Sequence, residues 1–183
     1  MDFLIQLDTQ FFLLINGLQN KILNPLALGI SAITEGGLSW LVITFLILVL
    51  DKTEKKRKIF LMLLALLLNS WIVNVPIKFV LFCRTRPFET LEGVKVIGKI
   101  WENCSFPSGH VAASAAAIVI LFYLFPKIRK NWLISLSLIF ILFLSFSRVY
   151  VGMHYPLDVL AGLLIGLISG FLVIFLDKHI KFS

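Results

Sequence analysis

The sequence predicts an all-α integral membrane bundle, and three observations lead there. Of the 183 residues, 59% are hydrophobic and 15% charged, mean hydropathy is +0.97, and apolar runs recur along almost the whole chain. A soluble domain is nearer to about 45–50% apolar and about 25% charged. With lipid as solvent, every backbone group in a span must bond within a helix or a closed barrel. The runs are too long and continuous for barrel strands.

Residues 3–34 are interrupted by Asn16, Gly17, Gln19, Asn20, Lys21, Asn24 and Pro25. They read as an amphipathic helix over 3–18 lying in the membrane interface, then a short helix over 22–34. Apolar spans follow at 35–50, 58–82, 107–125, 132–150 and 157–176, near the roughly 20 residues a crossing needs. Five helices therefore cross outright, and the N-terminal region supplies a sixth. No stretch is long and polar enough for a second unit, so 1–183 forms one domain, with 83–106 as a long polar loop. Met1-Asp2-Phe3 lacks the basic start of a cleavable signal peptide.

The net charge of +7 has no accompanying basic-aromatic surface pattern, so nucleic acid is not an expected partner. Instead the charge sets orientation. Lys52, Lys55, Lys56, Arg57 and Lys58 precede the second span, Lys127, Arg129 and Lys130 precede the fourth, and Lys178 and Lys181 follow the fifth. Ten of the 17 basic residues thus fall on one side, which the positive-inside rule makes cytoplasmic. Segments 83–106 and 150–156 then face outward. Trp132 sits where an interfacial anchor would, whereas Trp71 lies mid-helix.

Three polar strings lie at the outer ends of the spans: Lys78 to Arg86-Pro87, Pro107-Ser108-Gly109-His110, and Ser147-Arg148 followed by His154 and Asp158. Ionisable groups at membrane depth are costly and mark function. Ser108 and Gly109 open a helix, whose first turn leaves backbone N–H groups and a dipole facing outward, a ready anion site. An ordinary Ser N-cap is the plainer alternative. His154 and Asp158 are four residues apart, as on one helical face, and Pro156 suits a first turn between them. A carboxylate on one imidazole nitrogen leaves the other free to attack; a satisfied interfacial His–Asp pair is the plainer reading. Lys78, Arg84, Arg86 and Arg148 are cations that would repel one another without an anion among them. Arg suits the bidentate grip of phosphate oxygens, while snorkelling to the interface is the alternative for Lys78 and Arg84.

In this order and spacing, the strings resemble the tripartite signature of the type-2 phosphatidic acid phosphatase superfamily over residues 35–176. That resemblance implies a metal-independent lipid phosphatase with no cofactor. In that scheme His154 is nucleophile, Asp158 orients it and His110 is acid then base. Lys78, Arg86, Arg148, Ser108 and Gly109 would hold the phosphate. One departure stands out: seven residues separate Lys78 from Arg86, where the family has six. An extra helical residue turns a side chain by about 100°, so Arg84 is a candidate to share the duty of Lys78.

Small bacterial members that this chain resembles often dephosphorylate undecaprenyl diphosphate, the leading substrate here. Phosphatidate, phosphatidylglycerol phosphate and a lipid A phosphate stay open, and an anion transporter is the reading from another class. Membrane lipids and the lipid phosphate are the expected partners; the sequence is silent on oligomeric state. Cys83 and Cys104 fit no metal-ligand spacing. They bracket the outer loop and read as a disulfide or as two free thiols, the second being favoured because sequence does not show whether the Cα atoms approach within about 7 Å.

Overall fold

The computed structural model describes residues 2–50, 53–72 and 83–180, and among these all regular structure is helical. The helices are α1 (Asp2–Gly17), α2 (Leu23–Ile33), α3 (Leu38–Leu50), α4 (Lys55–Ile72), α5 (Pro87–Thr90), α6 (Gly109–Leu124), α7 (Asn131–Tyr150) and α8 (Pro156–Ile180). Each predicted apolar run is represented. Helices α7 and α8 are long and apolar enough to cross a bilayer on their own, and α2 with α3 reaches that length only as a pair bent by 43°. Helix α6 is apolar but has only 16 residues. The predicted continuation of α4 through 73–82 lies outside the described residues.

The bend between α2 and α3 has a local cause. Gly36 and Gly37 both have positive φ, 64° and 72°, a conformation glycine adopts without steric cost. Beyond the bend, Trp40 donates its indole N–H to Ser114 Oγ at 3.1 Å, tying α3 to α6. An apolar core forms there from Trp40, Leu61, Met62, Ile120, Leu124 and Val173. Leu138, Ile139 and Leu142 on α7 and Ile168 and Phe171 on α8 are exposed, as flanks facing lipid must be.

Helices α6 and α8 pack most closely, and small residues permit it. A Cβ on Gly162 would lie 2.5 Å from Ser108 O, one on Gly166 2.2 Å from Ala112 O, and one on Gly170 2.9 Å from Val119 Cβ. Small residues at every fourth position let transmembrane backbones approach in this way. The contact brings the first turn of α6 beside the first turn of α8, and Ser108 N–H donates to Asp158 O at 2.9 Å.

Helix α1 departs from the expected interfacial helix. It packs on α7 and α8, with Phe12 fully buried and its ring 5.4 Å from that of Tyr155. Asn16 donates to Lys95 O and Tyr150 O at 2.8 and 3.0 Å. The polar face of α1 therefore satisfies protein groups rather than water alone.

Candidate active site

The site forms where the ends of α6, α7 and α8 converge. At the end of α7, Met153 N–H and His154 N–H both donate to Arg148 O, at 3.3 and 3.2 Å, so the chain folds back over its own helix terminus. Gly152 (φ 87°) enables this, since a Cβ there would lie 2.8 Å from Lys95 O. His154 is buried by this turn, one step before α8 begins at Pro156.

Asp158, fully buried, is held from three sides. Its Oδ2 accepts Tyr155 N–H at 2.9 Å and the Ser105 hydroxyl, and its Oδ1 accepts Arg84 Nη1 at 3.0 Å. His154 Nδ1 faces Oδ2 from 3.8 Å, which turns Nε2 away from the carboxylate. Burial lowers the His154 pKa to about 3, with Arg148 and Arg86 pushing the same way and Asp158 opposing. The imidazole is therefore neutral at physiological pH, as a nitrogen nucleophile must be.

A cavity of about 230 Å³ opens beside it, lined among others by Arg86, Gly109, His110, Arg148 and His154. Arg86 is buried and braced by Nε to Asn103 O at 2.8 Å, Nη1 to Met153 O at 2.7 Å and Nη2 to Asn103 Oδ1 at 2.5 Å. Those bonds use three of the five donors of a guanidinium and leave the others for a ligand. Burial also lowers the Arg86 pKa. Arg148 is 4% exposed, and its Nε has no hydrogen-bond partner among the described residues. A buried guanidinium nitrogen without an acceptor is costly, and an anion in the cavity that Arg148 lines would offset that cost. The N–H groups of the first turn of α6 have no intrahelical acceptor and open on the same space.

Other predicted residues stand elsewhere. Arg84 does not line the cavity. Its Nη2 pairs with Asp8 at 2.7 Å, its Nη1 holds Asp158, and its guanidinium lies 3.6 Å over the Tyr155 ring. It braces the carboxylate from behind the histidine. Ser108 is fully buried, and its hydroxyl makes no cap bond and has no partner among the described residues. Lys78 lies outside the described residues. Cys83 and Cys104 form a disulfide with Cα atoms 5.1 Å apart, correcting the favoured reading of two free thiols. The bond from Ser105 N–H to Arg84 O at 2.7 Å, with Arg84 and Ser105 both on Asp158, also holds the loop ends together.

Sequence reasoning missed Asp8, Asn103, Ser105 and Asn69. Asp8 is buried in α1, where its Oδ1 accepts Leu157 N–H at 2.8 Å and so caps α8 from another helix. Lone polar residues within apolar runs were the available signal for Asp8 and Asn69; nothing local marked Asn103 or Ser105.

A helical membrane protein with a buried neutral histidine, a braced carboxylate and buried guanidinium groups around one cavity is built to act on an oxyanion. Residues 58–179 match the PAP2 superfamily, and the chain belongs to it. It is 31% identical over 174 residues to an undecaprenyl-diphosphatase of Sulfolobus acidocaldarius, covering 95% of this chain and 80% of that one. Over 182 residues it is 26% identical to a lipid A 4'-phosphatase of Porphyromonas gingivalis, covering 94% and 74%. The crystal structure of a transmembrane PAP2 type phosphatidylglycerolphosphate phosphatase from Bacillus subtilis superposes with a TM-score of 0.75 at 23% identity. It covers 100% of this chain and 90% of that one, a likeness of fold. The protein is a membrane phosphatase of lipid metabolism.

Proposed function

We propose that the chain hydrolyses a lipid diphosphate, undecaprenyl diphosphate, at the outer face of the membrane through a phosphohistidine at His154. The observation that carries the mechanism is the neutral, buried His154 sharing a cavity with Arg86, Arg148 and His110. His154 Nε2 attacks the terminal phosphorus, and the bond to the bridging oxygen breaks. His110 delivers a proton to that oxygen. Arg86, Arg148 and the first turn of α6 carry the charge of the equatorial oxygens. Water then attacks the phosphohistidine, His110 takes its proton, and His154 is released neutral with inorganic phosphate. Gly109 allows the close backbone approach. Asp158 holds His154 in one orientation, and Arg84 acts through Asp158. Lys78 is assigned to the phosphate by its place in the motif.

Two observations support the substrate and its side. The undecaprenyl-diphosphatase relative is matched along nearly the whole chain. The basic clusters at 53–58, 126–130 and 178–179 lie at the bundle end opposite the site, joined there by Arg57–Asp177 and Lys58–Phe125 contacts; the positive-inside rule makes that end cytoplasmic.

Phosphate release from undecaprenyl diphosphate, phosphatidate, phosphatidylglycerol phosphate and lipid A, with and without a strong chelator, tests this reading. The diphosphate should be hydrolysed fastest and the chelator should have little effect. Faster turnover of a monophosphate would replace the substrate assignment, and complete, metal-restorable loss would remove the mechanism. In sealed vesicles of known orientation, substrate confined to the cytoplasmic leaflet should be spared.

A further inference from the structure

The mechanism leaves one buried polar group of the cavity without a role. Helix α4 runs apolar from Ile59 to Leu68 and then places Asn69 in the cavity wall, with Arg86, His110, Arg148 and His154 among the other lining residues. Asn69 is 3% exposed, and its Oδ1 is buried with no hydrogen-bond partner among the described residues. An amide carbonyl buried in a transmembrane helix without a donor is strongly disfavoured. Among the described residues none supplies the donor, and Asn69 lines the cavity into which the reacting water must come.

The ligands of the reaction differ in what they offer. The transferring phosphoryl group presents acceptors, and Arg86, Arg148 and the α6 terminus are donors matched to it. In the second half-reaction the apical position holds a water, which brings two O–H donors where the departed lipid oxygen had one proton, shared with His110. A water whose lone pair points at phosphorus must donate both hydrogens. Two other acceptors of the cavity wall already have donors: Glu35 Oε1 accepts Lys99 Nζ at 2.8 Å, and Asn103 Oδ1 accepts Arg86 Nη2.

We infer that Asn69 Oδ1 is the acceptor for one O–H of the attacking water. The inference rests on the phosphohistidine reading above. In the second half-reaction one water hydrogen is held by Asn69 and the other passes to His110. The new O–P bond forms as the N–P bond to His154 breaks, and phosphate leaves. Asn69 thereby orients the nucleophile of the hydrolytic step and improves its line of attack.

The test is Asn69→Leu, a near-isosteric change suited to a leucine-rich helix. The full chain in detergent is mixed with terminally ³²P-labelled undecaprenyl diphosphate and quenched in alkali, which preserves phosphohistidine. Hydrolysis of the phosphoenzyme should slow about tenfold, the worth of one neutral hydrogen bond. Lipid release should then show a burst, labelled protein should accumulate, and Tm should stay level or rise because an unsatisfied amide is gone. Phosphoenzyme hydrolysis at the wild-type rate would overturn the inference alone, as would a lowered Tm with both half-reactions slowed equally. Absence of labelled protein from wild type, Asn69→Leu and His110→Ala alike would remove the phosphohistidine reading and this inference with it. If Asn69→Leu does not accumulate in membranes, Asn69→Ala decides by the same measurements.

Discussion

Both ends of the bundle bury charge, and they do so in opposite ways. At the end carrying the basic clusters, Arg57 bonds Asp177 with two nitrogens and Glu54 with one. Tyr123 OH donates to the same Asp177 at 2.6 Å. Lys58 donates to Thr53 Oγ1 at 3.0 Å and lies 4.7 Å from the centre of the Phe125 ring. The donors and acceptors of this cluster answer one another, joining α4, α6 and α8. At the other end, Arg148 Nε, Asn69 Oδ1, Ser108 Oγ and His154 Nδ1 are buried without hydrogen-bond partners among the described residues. A satisfied polar cluster specifies structure, whereas a partly satisfied one is costly unless a ligand completes it. The contrast identifies one end as a staple and the other as a site.

Breaking the site should cost turnover without costing the fold. His154→Ala removes the proposed nucleophile and should abolish phosphate release while lipid binding, measured by equilibrium partition, remains largely intact. Arg148→Met or Arg86→Met should lower kcat about 10²–10³-fold, the scale of one lost transition-state donor. Arg148→Met should also hold or raise Tm, since it removes a buried cation lacking a full set of partners. A fall in Tm with normal kcat would place Arg148 in the staple class.

The opposite end should respond the other way. Asp177→Ala leaves Arg57 without its main partner and should cost about 2–3 kcal/mol of stability, below the fully buried range because Arg57 reaches water. Thermal unfolding in detergent should show the loss, with turnover per folded molecule within about twofold of wild type.

Acid should sharpen the comparison through His154. Its folded pKa of about 3 lies below the ordinary 6.5, so its contribution is fully present above the unfolded value. That contribution is lost as pH falls from 6.5 toward 3, because the unfolded chain takes a proton the folded chain refuses. Between pH 7 and pH 5 the loss amounts to about 2 kcal/mol. His154→Asn should show a correspondingly shallower drop in Tm over that window. The smallest effect belongs to the brace: Arg84→Ala should slow turnover about tenfold by releasing Asp158, one ion-assisted hydrogen bond. A loss as large as that of Arg148→Met would instead put Arg84 on the phosphate.

The sequence by itself determined the helices, the two ends and the candidate reacting groups. Apolar runs of near-membrane length, basic clusters between them, and Ser-Gly-His and Arg–His–Asp strings at the span ends are local patterns. Their cost in lipid makes them legible without a partner in view. Tertiary structure decided which charge meets which. Arg84 and Arg86 are two residues apart, yet one turns to Asp8 and Asp158 and the other to Asn103, Met153 and the cavity. Helix α1 supplies Asp8 to a carboxylate brace 150 residues away in the chain, and Cys83 meets Cys104 where their neighbours Arg84 and Ser105 both bond Asp158. A long-range pairing depends on where whole helices pack, and helix packing depends on side-chain shape summed over many contacts. Neither is written in the spacing of the residues that finally touch.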